Sequence, residues 1–509
     1  MPKAKYNNPI IPGFNPDPSI CRVGEDYYLI TSSFEFFPGV PIYHSKDLIN
    51  WKHINYCLTR QSQLMLHNAP ASGGIWAPTI RYHNGTFYMT TTNKADQGNF
   101  YVTTTDPAGD WSEPIWVEQG GIDPSLFFDD DGKVYYTTNE KVDGKSGISQ
   151  SEIDIKTGKR LTPVKHIWSG TGGSAPEAPH LYKINGVYYL MIAEGGTEYG
   201  HMVTIARSKS PWGSFESCPR NPVLTHRDRK GYPIQGTGHA DLVQAHDGSW
   251  WAVFLGFRYT RKYFHHLGRE TFLVPVTFDE DGWPVFNENG TVDLEMEADC
   301  LPFHSMKEPE LKDDFDEDKL KIYWNFLRNP YENTWSLSER KGYLTLYGSE
   351  ITLDQADSPT FIGRRQQHFD CTAQTLIEFN PSADNEEAGM TIYLNNEHHY
   401  DFFITKSAGV REVQVRRVVG DMSYIAYKKP VDDGPVILDI TADMYEYTFS
   451  FGYDKESLQT LGTARTQFVS TEAGVLGFTG VYFGLYASGN GKKCTAPAYF
   501  DWFDYQVEE

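Results

Sequence analysis

Three acidic residues in proline-rich segments are the side chains of this sequence best suited to chemistry. Asp17 stands in FNPDPS, Asp123 in GGIDPSLF and Glu177 in GGSAPEAPHLY. Neighbouring prolines restrict the backbone and favour extended geometry, so each carboxyl is held in place. One protonated and one ionised carboxyl can together hydrolyse a glycosidic bond, and a third can keep the first protonated. The residue types therefore predict hydrolysis of a sugar linkage, and they leave open which acid takes which role.

Three further residues have side chains that suit a sugar site. Trp76 in GGIWAPTI is either a sugar-stacking wall or a core indole. His239 in GTGHADLV is a structural histidine, a metal ligand or a partner of the carboxylates. Arg269 in HHLGRETFL either makes a strand-edge salt bridge or holds substrate hydroxyls, and in the second case it lowers the pKa of the acid that stays ionised.

A five-fold repeat supplies the elements that must position these side chains. Short aromatic hairpins recur as GEDYYLI, NGTFYMT, DGKVYYTT, NGVYYLM and DGSWWAV, at spacings of about 47 to 62 residues. This period is typical of β-propeller blades, whose innermost strands line the central axis. Counting back 11 or 12 residues from the aromatic marks reaches the following candidates: Asp17, Trp76, Asp123, Glu177 and His239. We therefore expect these five side chains to share one blade position and to converge on the axis.

The second half of the chain shows no repeat, and its pattern changes to about ten alternating strands. Runs such as MTIYLN, YDFFIT and YEYTFSFGY are typical of an antiparallel β-sandwich. We predict an all-β protein with a five-bladed propeller catalytic domain over residues 1–296. A linker over 297–312 and a sandwich over 313–509 complete the predicted order.

Composition excludes several other classes of protein. The formal charge of −22 disfavours nucleic-acid and anionic-membrane partners, because both would repel the chain. No apolar run reaches the roughly 18 residues of a membrane span, and the first residues show no apolar core of a signal peptide. Six cysteines without paired spacing favour a reducing compartment. A cytoplasmic protein is the expectation.

Eight motifs in order give the chain a resemblance to a known family. These are FNPDPS, FEFFPGVPIYHSKDLINW, GGIWAPTI, GIDPSLFFDDDG, APEAPHLY, AEGGTEYGH, GTGHADLV and LGRETF. Together they resemble the family 43 glycoside hydrolases, in the β-xylosidase and α-L-arabinofuranosidase branch. The resemblance implies an inverting mechanism with Asp17 as general base, Glu177 as general acid, and Asp123 as the residue that tunes and positions the acid.

The resemblance also implies the walls of the pocket for the terminal sugar. Phe34, Trp76 and Arg269 are the implied propeller walls, with His239 beside the substrate. A phenylalanine of a concanavalin-like sandwich domain closes the pocket in similar enzymes, and Phe478 in GVLGFTGVYFG matches it best. Similar propellers sometimes hold a calcium ion through a histidine such as His239, and no other cofactor is implied.

The predicted activity is an exo-acting release of D-xylose from the non-reducing ends of β-1,4-xylo-oligosaccharides, with α-L-arabinofuranosidase activity on arabinose-substituted oligosaccharides. The segment GIDPSLF departs from the FDASLF pattern of many β-xylosidases, so a predominant α-L-arabinofuranosidase stays an alternative. Similar enzymes are often oligomers, which implies a homo-oligomer here. In the sandwich, Asp314 and Asp501 are the candidates for a second calcium site.

Three other functions use the same architecture. A retaining furanosidase would pair the same two domains, but Ile122 stands where its Arg-Asp-Pro element needs arginine. An endo-acting arabinanase is disfavoured by a sandwich that blocks one end of the groove. A propeller that only binds carbohydrate would present aromatic side chains without three converging acids.

Overall fold

A computed structural model of the protein describes residues 4–260, 264–299, 301–306, 310–474 and 477–507. Five antiparallel sheets follow one another along the chain, and their first strands contact each other in a closed ring. Two eight-stranded sheets come after them. The prediction of a five-bladed propeller followed by a sandwich is confirmed.

Each blade is a meander in which four strands follow chain order from the axis outwards. The strands of the first two blades are Ser19–Val23, Asp26–Ile30, Gly39–Ser45 and Lys52–Leu58, then Ile75–His83, Thr86–Asn93, Gly98–Thr104 and Ile115–Trp116. Those of the third blade are Ile122–Phe128, Val134–Asn139, Ile148–Glu152 and Lys165–Trp168. Those of the fourth are Glu177–Ile184, Val187–Glu194, Met202–Ser208 and Glu216–Ser217, with Leu224–Thr225 also paired to the third strand. Those of the fifth are Ile234–Gln244, Trp250–Arg258, Glu270–Phe278 and Pro284–Phe286.

A β-bulge recurs in the innermost strand of four blades. The ladder register shifts between Trp76 and Thr79, and the same shift occurs at the matching place in the third, fourth and fifth blades. A bulge inserts an extra residue and re-aims its side chain. The inserted residues and their first-blade equivalent all have positive φ, and they are Asp17, Ala77, Asp123, Ala178 and His239. The propeller therefore carries five irregular positions at one end of its axis.

Because of these bulges, the blade alignment predicted from the sequence is wrong by one residue in two blades. Asp17, Asp123 and His239 share one position, four residues before the ladder partner of each aromatic mark. Trp76 and Glu177 stand one residue earlier, at the last regular pair before the bulge. The expectation that all five share one position was wrong, because counting along the sequence cannot detect a residue that the ladder leaves unpaired.

A short two-stranded ribbon joins the beginning and the end of the chain segment that forms the propeller. Ala4–Asn7 pairs antiparallel with Glu295–Ala298, so the first residues of the chain lie beside the end of the fifth blade. The described residues between Ala298 and Lys312 form no strand.

The sandwich consists of two sheets with a continuous apolar core between them. One sheet contains, in spatial order, Trp335–Ser336, Leu344–Leu346, Ala498–Val507, Cys371–Glu378, Val436–Ala442, Glu446–Gly452 and Gln459–Arg465, with Lys312–Asp313 paired to Ala498–Val507. The other contains Met422–Pro430, Val410–Val419, His398–Ser407, Glu387–Asn395, Tyr482–Ser488, Thr360–Arg365, Asn325–Leu327 and Phe36–Phe37. Two single-turn 3₁₀ helices span Thr466–Val469 and Thr471–Ala473.

The second sheet packs against the propeller and takes one strand from it. Phe36–Phe37 belongs to the first blade's segment but pairs with Asn325–Leu327 of the sandwich. Arg365 reaches back into the propeller, where its guanidinium donates to Asn15 Oδ1 at 2.7 Å. Backbone pairing and a buried charge-assisted hydrogen bond both require fixed geometry. The sandwich is therefore held in a defined position over one end of the propeller axis.

Candidate active site

A single pocket at the bulged end of the axis contains all eight predicted site residues. Seven come from the propeller and one from the sandwich, and they are Asp17, Phe34, Trp76, Asp123, Glu177, His239, Arg269 and Phe478. Ala77, Ile122, Thr197 and His201 complete the lining. The geometric expectation that distant parts of the chain meet around one centre is met. The catalytic role of each residue stays a prediction.

Asp17 has the environment of an ionised carboxylate. Ser32 Oγ donates to its Oδ2 at 2.6 Å, and Arg269 donates to its Oδ1 at 3.0 Å. His239 Nδ1 lies 3.5 Å from the same Oδ1. Burial alone would raise the pKa of Asp17, but Arg269, His239 and the hydrogen bond from Ser32 outweigh burial and lower it. Asp17 is thus the acid that keeps its charge.

Glu177 and Asp123 have the opposite tendency. Burial, followed by the negative charge of Asp17, raises the pKa of Glu177 to about 7, although Arg269 opposes the change. Burial and the charges of Glu177 and Asp17 raise the pKa of Asp123 well above its usual value. Like charges in one desolvated site cannot all ionise. Near neutral pH the pair of Asp123 and Glu177 therefore retains a proton beside an ionised Asp17.

The backbone of the fourth blade links these two acids. The amide N–H of Ala178 donates to Asp123 Oδ2 at 3.2 Å, and Ala178 is the residue next to Glu177. The hydrogen bond exists because both Asp123 and Ala178 occupy inserted bulge positions with φ of 53° and 52°. Positive φ is uncommon for residues other than glycine and is concentrated at functional sites. The bulges hold the two acids in a fixed mutual arrangement.

Arg269 binds the Asp17 carboxylate and also contacts residues of both domains. Besides Asp17, its guanidinium donates to Thr197 Oγ1 at 2.9 Å and to the backbone oxygen of Phe478 at 3.2 Å. It also lies over the rings of Phe34 and Phe478, at 5.7 and 5.4 Å from their centroids. Such cation–π contacts strengthen when water is excluded. Arg269 is therefore part of the pocket, and its ion-pair partner there is the buried Asp17.

Three aromatic rings form the apolar walls. Centroid distances are 6.3 Å from Phe34 to Trp76, 5.9 Å from Phe34 to Phe478 and 5.5 Å from Trp76 to Phe478. Ser72 ties the walls together, since its carbonyl accepts from the Trp76 indole at 2.9 Å and its Oγ accepts from the Phe478 amide at 2.9 Å. Flat apolar faces of this kind pack against sugar rings. The sandwich closes the pocket through Phe478.

The sequence interpretation missed four lining residues. Thr197 and His201 lie in AEGGTEYGH, a motif used for the resemblance without assigning its residues. His201 donates through Nδ1–H to the Gly236 carbonyl at 3.0 Å, and its buried Nε2 meets no partner in the part of the chain that the structure describes. Burial lowers the pKa of His201 to about 3, so the ring is neutral and Nε2 is a free acceptor. Ala77 and Ile122 carry no chemical signal in the sequence.

The predicted calcium ligands do not form a donor set. Among the described residues, no group of three or more His, Cys, Asp or Glu side chains is arranged to hold a metal ion. His239 is directed at Asp17, and Asp314 forms an ion pair with Lys312. Burial and the charges of Glu378 and Asp314 raise the pKa of Asp501, which places these acids near one another on the sandwich. Calcium also takes backbone carbonyl oxygens and water as ligands, so the calcium sites stay a prediction.

Family models match both halves of the chain. Residues 6–284 match the model of the glycosyl hydrolases of family 43. Residues 312–506 match the model of the concanavalin A-like domain found at the C-terminus of beta-xylosidases. The two matched ranges correspond to the propeller and to the sandwich of the structure.

Curated relatives align along almost the whole chain. A non-reducing end alpha-L-arabinofuranosidase from Bacteroides ovatus is 49% identical over 98% of this chain and 94% of its own length. A xylosidase/arabinosidase from Butyrivibrio fibrisolvens is 40% identical, and a beta-xylosidase from Bacillus subtilis is 35% identical, each over 99% of both chains.

Solved structures also superpose on almost the whole chain. The structure described as Bacteroides ovatus xyloglucan PUL GH43B superposes with a TM-score of 0.96 at 48% identity, covering 99% of this chain and all of that one. A xylan beta-1,4-xylosidase from Bacillus halodurans superposes with a TM-score of 0.94 at 37% identity, covering 98% and 100%.

Proposed function

The chain belongs to the glycosyl hydrolases of family 43, and from this premise we propose that it is an exo-acting, inverting glycosidase. It releases terminal D-xylose from β-1,4-xylo-oligosaccharides and terminal α-L-arabinofuranose from substituted oligosaccharides. One observation carries the mechanism: a single pocket holds an acid with a lowered pKa beside two acids with raised pKa values. This is the pairing that an inverting hydrolase needs.

The proposed reaction is a single displacement. Ionised Asp17 removes a proton from a water molecule as the water oxygen bonds to the anomeric carbon. The glycosidic bond breaks at the same time, and Glu177 donates its proton to the leaving oxygen. Asp17 ends protonated and Glu177 ends ionised, and exchange with solvent restores both. Asp123 accepts the hydrogen bond of the Ala178 amide and so positions the neighbouring Glu177.

The exo mode of action rests on the closed shape of the pocket. Phe478 reaches over the propeller from the sandwich and contacts both Phe34 and Trp76. A long polysaccharide cannot pass through a pocket that a second domain closes, so the terminal sugar enters first. Arg269 offers N–H donors and His201 an acceptor, and both can bind sugar hydroxyls. Xylose and arabinofuranose present similar hydroxyls to such a pocket.

The roles are tested by the Glu177→Gln variant. Glutamine fills the same volume but donates no acid proton, so we expect kcat/KM for xylobiose to fall by about 10²- to 10⁴-fold. Proton NMR of the first-formed anomer tests inversion independently. Near-normal turnover of xylobiose by the variant would contradict the acid assignment, and a retained anomer would favour the retaining alternative. Hydrolysis of nitrophenyl arabinofuranoside but not of xylobiose by the wild-type enzyme would identify a predominant arabinofuranosidase.

We also propose a cytoplasmic location and a homo-oligomeric assembly. All five cysteines that the structure describes are free thiols, and four are buried, as suits a reducing compartment. The described residues include no helix long and apolar enough to cross a bilayer. Cell fractionation tests the location, and light scattering of the purified protein tests the assembly. Assay with and without a chelator tests the calcium prediction.

A further inference from the structure

One glutamate outside the pocket occupies a repeated position in the propeller. The residue five places after each aromatic mark lies within three residues of the end of the second strand of its blade. In blade order the residues at this position are Ser33, Asn93, Glu140, Glu194 and Gly256. Glutamate occurs only in the third and fourth blades, which also carry Asp123 and Glu177. The two glutamates nevertheless have different surroundings.

Glu194 is completely buried and binds the loop that precedes Glu177. Its carboxylate accepts from the Thr171 amide at 3.0 Å, from Thr171 Oγ1 at 3.0 Å and from the Gly173 amide at 2.9 Å. Thr204 Oγ1 donates to the same carboxylate at 2.5 Å. Gly170 has φ of 76°, and a Cβ there would lie 2.6 Å from the Glu194 carboxyl carbon. The loop is shaped around this side chain.

The same loop is tethered as far as the acid itself. Gly195, next to Glu194, donates its amide to the Ser174 carbonyl at 2.7 Å. Asn139 of the third blade donates to the Pro176 carbonyl at 2.8 Å. Glu177 follows at once and pairs with Ala193 across the ladder. Every link from Glu194 to Glu177 is therefore a hydrogen bond or a covalent bond.

We propose that Glu194 is a positioning residue for the acid Glu177, an inference that rests on the proposed function. A proton donor acts only when it is within hydrogen-bond reach of the leaving oxygen, and small displacements are costly. The donors that the described residues offer to the Glu194 carboxylate are all neutral amides and hydroxyls, so these contacts orient the loop without an ion pair. Its effect on the reaction passes through the position of Glu177.

Glu140 provides a matched control within the same molecule. It occupies the equivalent position in the third blade, and its buried Oε2 meets no partner in the described part of the chain. A Cβ at Gly120 would lie 2.9 Å from Glu140 Oε1, but Glu140 is only half-buried, whereas Glu194 is completely buried. Glu140 therefore has the location of Glu194 without its network of donors.

The experiment compares Glu194→Gln with Glu140→Gln on two substrates. Glutamine replaces one acceptor oxygen by an NH₂ group that faces the Thr171 and Gly173 donors. A sugar leaving group needs a proton from the acid, whereas a nitrophenolate leaves without one. We expect Glu194→Gln to lower kcat/KM for xylobiose by about 10- to 100-fold, and that for nitrophenyl xyloside by no more than about threefold. Glu140→Gln should change both by less than about twofold.

Thermal unfolding checks that each variant is folded, and a third variant, Glu177→Gln, separates failure of the positioning role from failure of the acid assignment. Equal losses on both substrates, or no loss on either, would overturn the positioning role of Glu194. Glu177→Gln is the reference, and it should show the same bias towards nitrophenyl xyloside more strongly. If Glu177→Gln shows the bias and Glu194→Gln does not, only the positioning role fails. If Glu177→Gln shows no bias, the acid assignment itself fails, and the positioning role with it.

Discussion

Two buried charge clusters, one in each domain, show how the same residue types serve chemistry or stability. In the propeller, Asp17, Asp123 and Glu177 share one arginine, Arg269. In the sandwich, Arg416 Nε donates to Asp401 at 2.8 Å, and the same guanidinium donates to Glu387 at 2.6 Å. His399 Nδ1 lies 2.8 Å from Asp401, on the other side of that carboxylate.

Burial raises the pKa of the acids in both clusters, but the neighbouring charges give opposite net results. Burial works against ionisation of Asp401, but His399 and Arg416 outweigh it and lower the pKa of Asp401. Asp401 in turn overcomes burial to raise the pKa of His399 to about 9. In the propeller, burial and then the charges of the neighbouring acids raise the pKa values of Asp123 and Glu177, and Arg269 alone does not offset them. A balanced cluster ionises and stabilises the fold, whereas a cluster with surplus acid keeps a transferable proton.

The largest expected effect tests the propeller cluster through Asp17→Asn. Asparagine has nearly the same shape but keeps only one of the two acceptor oxygens, and it cannot accept a proton from water, so we expect kcat/KM to fall by about 10²- to 10⁴-fold while the protein stays folded. Steady-state assay on xylobiose and thermal unfolding measure both quantities. Asp26→Asn is the control, since it breaks a surface ion pair with Lys46 in the same blade. Activity above a tenth of the wild-type value would remove Asp17 from the mechanism.

Asp401→Asn tests the sandwich cluster and should affect stability instead. Removing the Asp401 charge leaves the buried Arg416 and His399 one counter-charge short, at a cost of about 3–5 kcal/mol in the free energy of unfolding. Urea unfolding measures this loss. At temperatures where the variant is folded, kcat/KM should stay within about twofold of wild type. A large loss of activity in the folded variant would show that the clusters are not independent.

The pH dependence of activity should depend on the propeller cluster alone. We expect kcat/KM to decline above pH of about 7, because Glu177 loses its proton with a pKa of about 7. The acid limb should lie below the usual pKa of aspartate, since the pKa of Asp17 is lowered. Both limbs report the coupled site. The profile of Asp401→Asn should superpose on that of wild type after scaling, and a displaced limb would break the comparison.

The smallest expected effect concerns the one side chain that the sandwich contributes to the pocket. Phe478→Ala removes a wall but keeps the backbone contacts to Ser72 and Arg269. We expect kcat/KM to fall about tenfold, equivalent to about 1.4 kcal/mol, through a higher KM. Phe468→Ala is the control, because that ring is 37% exposed on the same domain. Equal behaviour of the two variants would mean that the sandwich only supports the propeller.

Much of the fold followed from local patterns in the sequence. Asn-Gly and Asp-Gly pairs between aromatic runs predict hairpins, because type I′ turns need positive φ at both positions. Asn84 and Gly85 adopt φ of 48° and 83°, as that turn requires. The regular recurrence of such hairpins predicts the propeller. Turn chemistry and alternation act over a few residues, so they can be recognised without coordinates.

The site could be predicted only in part. Asp17, Asp123 and Glu177 stand out through their prolines, and Phe478 was found through resemblance. The one-residue offset of Trp76 and Glu177 was missed, because a bulge exists only in the pairing of two strands. Thr197 and His201 were missed for a related reason, since their position beside the acids depends on how a loop folds over the axis.

Sequence by itself determined the acids, the aromatic side chains and the order of strands, because these depend on residue type and local propensity. Tertiary structure decided which acid is charged. The pKa of a carboxyl depends on burial and on charges brought near it from distant segments, such as Arg269 beside Asp17, 252 positions away. The folded chain also decided that a sandwich ring, Phe478, lies against Trp76 and completes the pocket.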